Sequence, residues 1–315
     1  MPIVTMKELY VHAVEEKYIL GAFNVFNFDT AKAVLEAAKE MQSPVILQLS
    51  MGARKYIGDY KTFIQCIKAL GDGYEIPFSI NHDHCPTVEA AFEAMESGVN
   101  GVMFDGSHLP LEENIKETKK VVEAALKCGI WVEAELGCLP GFEDEIFAEH
   151  AEFTDAKTAK YFVEATGCNA LAVSAGTSHG GVRSETDLPL HFEVLKEIHQ
   201  MIPQIPLVLH GAASLPVSLI DAVNRQGGQV PYMKNCGEDS IKMSAQYGIR
   251  KANMDVDNFL MFTEAVRRYL NETPEKYDPR LYLKEGRGAF QKEVEWKFKN
   301  VTLSAGKNWW KKVEK

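Results

Sequence analysis

Short apolar runs alternate with stretches of helical spacing along nearly the whole chain. The runs fall at residues 21–27, 44–50, 76–83, 101–106, 131–137, 170–176, 206–211 and 249–256. Most are continuously apolar or β-branched rather than alternating, as suits strands buried on both faces of a parallel sheet. Between them the spacing predicts helices over 29–42, 61–70, 87–97, 111–128, 155–167, 190–201 and 257–271, with one more near 6–16 and a helical tail over 281–301. Thr87 and Thr154-Asp155 are placed as N-caps, and Gly129 as a stop. Residues 138–153 read as a Gly/Pro/acid-rich loop. Two short helices and a Gly-rich turn precede the last strand. Strand–helix units repeated eight times predict an α/β fold, a single (β/α)8 TIM barrel with extra C-terminal helices. No low-complexity linker or shift in composition interrupts residues 1–315, so one domain is expected.

In such a barrel the C-terminal strand ends form the active mouth. The residues expected there are Asn24, Gln48, Ser50, Asp83, His84, Asp105, Glu133, Glu135, Ser178, His179, His210, Asn253 and Asp255. A lone His at a strand end is usually a hydrogen-bonded structural residue. His84, His179 and His210 at three ends of one barrel, beside Asp83, read instead as ligands of one metal with a neighbouring proton carrier. Imidazoles with an open fourth position suit zinc, and iron or manganese could replace it on ligand grounds. Asp105 and Glu135 read as outer or second-site metal ligands, or as acids whose charge a lysine balances. The segments beginning His179-Gly180-Gly181 and His210-Gly211 read equally as anion-binding backbone and as plain tight turns.

Net charge is −10, which argues against nucleic acid or an anionic membrane as a general partner. The cysteines are few and show no CxxC spacing, and no long apolar run marks a secretory signal or a membrane span. A cytoplasmic protein is expected. Trp309-Trp310 reads as an interface or packing anchor.

The motifs GAFNV, SPVILQ, Asp83-His84, VMFDGSHLPLEEN, VEAELG, EATGCNALAVSAGTSHG, PLVLHG and YDPRLYL together resemble the class II, metal-dependent ketose-bisphosphate aldolases of the fructose and tagatose group. The likeness spans almost the whole chain. It implies that His84, His179 and His210 hold catalytic zinc, or another divalent ion, with a monovalent cation as a further possibility. It implies that Asp83 removes the C4 hydroxyl proton in cleavage. Asp105 and Glu135 match the family's alternative metal position. Asn24, Ser50 and Asn253 match polar residues around the substrate, and Glu143 lies on the mobile loop whose acid assists proton transfer. The implied reaction is reversible retro-aldol cleavage of a ketose to a dihydroxyacetone (phosphate)-like ketone and an aldehyde, through a zinc-stabilised enediolate. The implied partners are a small sugar or sugar phosphate and further copies of the chain, in a dimer or tetramer.

Several positions depart from the family pattern. Cys85 replaces a glycine and Asn81 a histidine. The turn after the seventh strand reads Gly211-Ala212-Ala213, with its hydroxyl delayed to Ser214. Val256 replaces a Thr or Ser beside Asp255. The stretch that in many bisphosphate members carries an Arg reaching the far phosphate of a neighbouring subunit's substrate reads Asp257-Asn258-Phe259-Leu260, and a Gly-Gly pair on the mobile loop becomes Pro140-Gly141. Several of these changes remove anion ligands, and none removes a metal ligand or Asp83. They suggest a non-standard substrate, a monophosphate or an unphosphorylated ketose, with Arg183 able to supply one cation. Two alternatives stand beside this: a non-catalytic partner subunit of an aldolase, and another metal-dependent barrel isomerase or hydrolase.

Overall fold

The computed structural model describes residues 3–143, 146–148, 152–184 and 186–312. In chain order the elements are α1 (Met6–Glu16), β1 (Leu20–Asn24), α2 (Phe28–Met41), β2 (Val45–Leu49), α3 (Met51–Ile57), α4 (Tyr60–Gly71), β3 (Phe78–Cys85), α5 (Val88–Glu96), β4 (Gly101–Phe104), α6 (Leu111–Cys128), β5 (Trp131–Leu136), β6 (Gly141–Glu143), β7 (Ile146–Ala148), α7 (Ala156–Thr166), β8 (Ala170–Val173), α8 (Phe192–Met201), β9 (Leu207–Leu209), α9 (Val217–Arg225), α10 (Glu238–Ser244), β10 (Ile249–Met254), α11 (Val256–Glu272) and α12 (Pro279–Asn300). The strands predicted from the apolar runs all form. They pair in parallel around a closed barrel in the order β1-β10-β9-β8-β5-β4-β3-β2. Helix α6 matches its expected bounds, ended by Gly129 in the left-handed conformation. Thr87 caps α5, and Asp155 rather than Thr154 caps α7.

Two elements differ from the sequence reading. Residues 51–57 form α3, with Ser50 as its N-cap accepting the Ala53 N–H. The loop after β5 contains the antiparallel hairpin β6–β7, seated beside the mouth by a bridge between Gly141 and His179. A Cβ on Gly141 would lie 2.0 Å from the His179 carbonyl oxygen, so this approach requires glycine.

Strand alternation explains the two cores. The outward residues, such as Val45, Leu47 and Leu49 of β2, pack against the helices in the larger cluster. Inward residues near the strand starts (Leu20, Ala22, Ile46, Ala170, Ala172 and Val208) pack against Met6, Leu9, Tyr10 and Ala13 of α1. Helix α1 therefore plugs the bottom of the barrel, held at its start by a capping box between Thr5 and Glu8. Trp309 packs on this plug: its ring stacks on His12 at 4.0 Å, and Trp310 meets Trp309 edge-on. The pair is a packing anchor within the chain. Among the described residues no helix is long and apolar enough to cross a membrane.

The C-terminal helix reaches the mouth from outside. Phe290, Val294 and Phe298 of α12 are fully buried, and Phe298 meets Phe23 of β1 edge-on at 5.4 Å. Between them Lys297, also buried, donates to the Asp257 carboxylate. The same carboxylate oxygen accepts the Ser214 N–H at 2.8 Å, which ties α12 to the turn after β9. Removing one partner of such a pair strands a buried charge. We expect Lys297→Met to lose about 3 kcal/mol of stability in urea unfolding, and Asp257→Asn/Lys297→Met to lose less than the single variant. A double variant at least as unstable as Lys297→Met would mean that the pair carries no such constraint.

Candidate active site

The mouth is built by parity along β3. Ser79, Asn81 and Asp83 point into the barrel, whereas Phe78, Ile80 and His82 point outward; strict alternation would send His84 outward too. The register against β4 shifts between His82 and Cys85, and His84 takes a left-handed backbone with φ of 45°. This bulge turns the His84 ring into the mouth and returns Cys85 to the outer core. A histidine in that conformation is uncommon and carries strain, which the surrounding strand pairing holds in place. Cys85 is fully buried with its sulfur 3.4 Å from His82 Nδ1. Burial, with the Asp83 charge behind it, pushes the Cys85 thiol well up, so it stays neutral.

The histidines expected as metal ligands converge. Rings of His84 and His179 lie 5.0 Å apart, and those of His84 and His210 lie 4.6 Å apart. One ring nitrogen from each of His84, His179 and His210 lies within 4.8 Å of the others, and all three residues are buried. Carboxylates set which nitrogens face the centre. Asp105 Oδ2 lies 2.8 Å from His84 Nδ1 and accepts its N–H, which leaves Nε2 to face the centre. Glu133 Oε1 does the same at His210 Nε2, at 2.8 Å, which leaves Nδ1. Around His179, Asn235 clamps the preceding backbone: it accepts the Ser178 N–H and donates to the Ser178 carbonyl. At Gly211, with φ of 57°, a Cβ would come within 2.2 Å of the Ser178 carbonyl oxygen, so a side chain there would push this segment aside.

Glu135 completes a second grouping with His84 and Asp105. Its Oε2 is buried 3.3 Å from His210 Nδ1 and 4.0 Å from His84 Nδ1, and neither Oε2 nor His210 Nδ1 has a hydrogen-bond partner among the described residues. Burial, then the Asp105 charge, raises the Glu135 carboxyl. Burial acts the same way on Asp105, but the His84 ring and the Ser107 donors outweigh it and hold that carboxyl low. His210 is pulled down by burial and more strongly up by Glu133 and Glu135, to about 9. His179 is lowered by burial and by the two neighbouring rings. A buried cavity of imidazoles and excess carboxylates, with orphaned donor atoms at its centre, fits a divalent cation.

Asp83 stands beside this centre. Gln48 Nε2 donates to its Oδ2 at 2.7 Å, and Asn253 Nδ2 lies 3.2 and 3.3 Å from its two oxygens. Asn81 Nδ2 in turn reaches Gln48 Oε1 at 3.4 Å. A cavity of about 300 Å³ opens here, lined by Asn24, Ser50, Asp83, His84, His179, Gly180, His210, Gly211, Asn253 and Asp255 among others. Of the expected substrate residues, Arg183 and Ser214 are the ones that do not line it. Arg183 is exposed, and Ser214, displaced by Ala212 and Ala213, turns its N–H onto Asp257. Glu143 ends β6, but its side chain lies outside the described part of the structure. Burial raises the Asp255 carboxyl to about 6.

Deeper in the barrel Glu133, expected at the mouth without an assigned role, meets Lys251, which the sequence reading did not single out. Lys251 Nζ donates to Glu133 Oε2 at 2.7 Å, and both side chains are buried. Burial would raise Glu133; Lys251 and His210 overcome it and hold the carboxyl near 2. The only sequence signal was the position of Lys251 in an apolar run, two residues before Asn253 and so on the same inward face.

Comparison with known proteins agrees with this geometry. Residues 4–307 match the family model described as fructose-bisphosphate aldolase class-II. The fructose-bisphosphate aldolase of Giardia intestinalis is 38% identical over 325 residues, covering 99% of this chain and all of the relative. That of Thermus caldophilus is 39% identical over 294 residues, covering 93% of this chain and 95% of the relative. Among solved structures, the YdjI aldolase of Escherichia coli K12 superposes with a TM-score of 0.77 at 28% identity, covering 97% of this chain and 99% of that one. With the match running from end to end of the barrel and whole-length relatives above a third identical, the chain belongs to the class II fructose-bisphosphate aldolase family.

Proposed function

We propose that residues 1–315 form one catalytic domain that cleaves a ketose by a retro-aldol reaction, using Asp83 as the base, and that its substrate lacks the phosphate on the aldehyde side. Class II aldolases are metal-dependent carbon–carbon lyases, and the convergence of His84, His179 and His210 on the cavity that holds Asp83 carries the reading for this chain. His84 through Nε2, His210 through Nδ1, and His179 would hold the cation, with Asp105 and Glu135 as the alternative seat; the donor set suits zinc. When bound, the cation supplies electrophilic stabilisation of the negative charge that the ketone fragment acquires.

The chain's own groups do the rest. Asp83 accepts the proton of the C4 hydroxyl as the C3–C4 bond breaks. The oxygen's electron pair forms the aldehyde carbonyl, and the bonding pair passes to the ketone fragment. Gln48 and Asn253 hold the carboxylate so that a free lone pair faces the substrate. Asn24, Ser50 and Asp255 are placed to bind substrate hydroxyls, and Glu143 on the hairpin beside His179 is the proposed acid that returns a proton to C3. Backbone N–H groups at Gly180 and Gly211 offer a modest site for an anion on the ketone side. Losing a charge-assisted hydrogen bond costs roughly 1.5–3 kcal/mol, so the hydroxyls replaced by Ala212, Ala213 and Val256 would leave any phosphate there weakly held. The same reading places the protein in the cytoplasm as a homo-oligomer.

The test is steady-state cleavage by metal-loaded protein of fructose and tagatose bisphosphates beside their 1-phosphates and the free ketoses. Turnover of a monophosphate or free ketose is expected; efficient turnover of a bisphosphate with the others inert would sink the substrate assignment. Asp83→Ala should lower kcat by about 10³-fold while leaving bound metal unchanged. Chelation should abolish cleavage and zinc restore it, and His210→Ala should lower the metal content found by atomic absorption. A His210→Ala protein that binds metal as the parent does would remove this residue from the ligand set.

A further inference from the structure

The far wall of the cavity is aromatic. Phe26, just after β1, Tyr56 on α3 and Phe259 in the first turn of α11 all line it. The Phe26 ring meets Tyr56 edge-on at 5.7 Å and Phe259 edge-on at 5.5 Å, so the rings form one continuous surface. Phe259 is braced from behind by the fully buried Phe290 of α12, with ring centroids 6.4 Å apart. None of the described residues lining this cavity is Lys or Arg, whereas Asp83 and Asp255 both are part of it. A phosphorylated aldehyde fragment would bring two further negative charges against hydrocarbon and carboxylate, with no Lys or Arg among the described lining residues to meet them. An uncharged chain would instead lay its C–H face on the rings and leave its hydroxyls to the polar side.

We propose that Phe259, with Phe26 and Tyr56, selects an uncharged aldehyde fragment that presents a carbon face, and rejects a phosphorylated one; this rests on the aldolase reading above. Phe259 is the specificity-determining residue because it is fixed at the start of a helix, close to Asp255 and Val256, and its brace leaves little freedom to withdraw.

The reaction run in the condensation direction tests it. Metal-loaded protein is given dihydroxyacetone phosphate or dihydroxyacetone as donor, with glyceraldehyde 3-phosphate, glyceraldehyde, erythrose and butanal as acceptors. The uncharged acceptors should exceed glyceraldehyde 3-phosphate in kcat/KM by about tenfold or more, and Phe259→Arg should invert that order, whereas Phe259→Leu should keep it. Binding gives a second readout: in calorimetry with the non-cleaving Asp83→Ala protein, adding Phe259→Arg should tighten fructose 1,6-bisphosphate about tenfold and weaken free fructose. A parent protein that prefers glyceraldehyde 3-phosphate, or a Phe259→Arg change that moves all acceptors alike, overturns the inference while leaving the aldolase reading intact. No condensation with any acceptor overturns the aldolase reading and this inference with it.

Discussion

The buried pairing of Lys251 with Glu133 is the constraint on which the mouth depends. A carboxylate sealed inside a barrel would otherwise take up a proton and lose its hold on His210. With Lys251 beside it, Glu133 stays ionised, keeps a proton on His210 Nε2, and so turns Nδ1 toward the centre. The lysine sits wholly inside the protein, where, among the described residues, Glu133 is the ion-pair partner that makes its charge tolerable. Orientation of a metal ligand thus traces back to one ion pair deeper in the barrel than the cavity.

The upper layer follows the same logic at shorter range. Asp105 fixes His84, Asn235 fixes the backbone before His179, and Asn81 and Gln48 fix Asp83. Each reacting or ligating group is backed by a polar residue that touches nothing in the substrate space. Asn81, a departure from the family pattern, still serves this role through Gln48. The departures at the phosphate positions have no such replacement, because Ala212, Ala213 and Val256 offer no side-chain donor at all.

Much of this was legible in the chain. Strands buried on both faces announce themselves as apolar runs, and the polar residues that end those runs had to meet at one rim, where His84, His179, His210, Asp83, Asp105 and Glu135 do lie together. Local signals also marked the end of α6 through Gly129 and the start of α5 through Thr87. What stayed hidden depended on contacts distant in sequence or on backbone detail. The Glu133–Lys251 pair joins strands far apart in the chain. The bulge that turns His84 inward leaves no compositional trace, since a strict alternation would have pointed it outward. Helix α3 and the β6–β7 hairpin are too short for periodicity to reveal, and Ser50, which resembled a substrate residue, also caps that missed helix. Arg183 and Ser214 looked close to the site along the chain but are carried away from it by the turns that follow His179 and His210.

The tie from Lys297 through Asp257 to the Ser214 N–H has a bearing on how the molecule assembles. The turn after β9 is held from behind by a helix whose relevant residue comes more than eighty positions later in the chain. During synthesis the strands can collapse and close the barrel while this turn still lacks its brace. The mouth is complete only once α12 is docked, so formation of this contact and completion of the binding surface coincide. Slow docking would give a protein with native secondary structure and an unfinished rim, a state set by topology rather than by any weakness of the core.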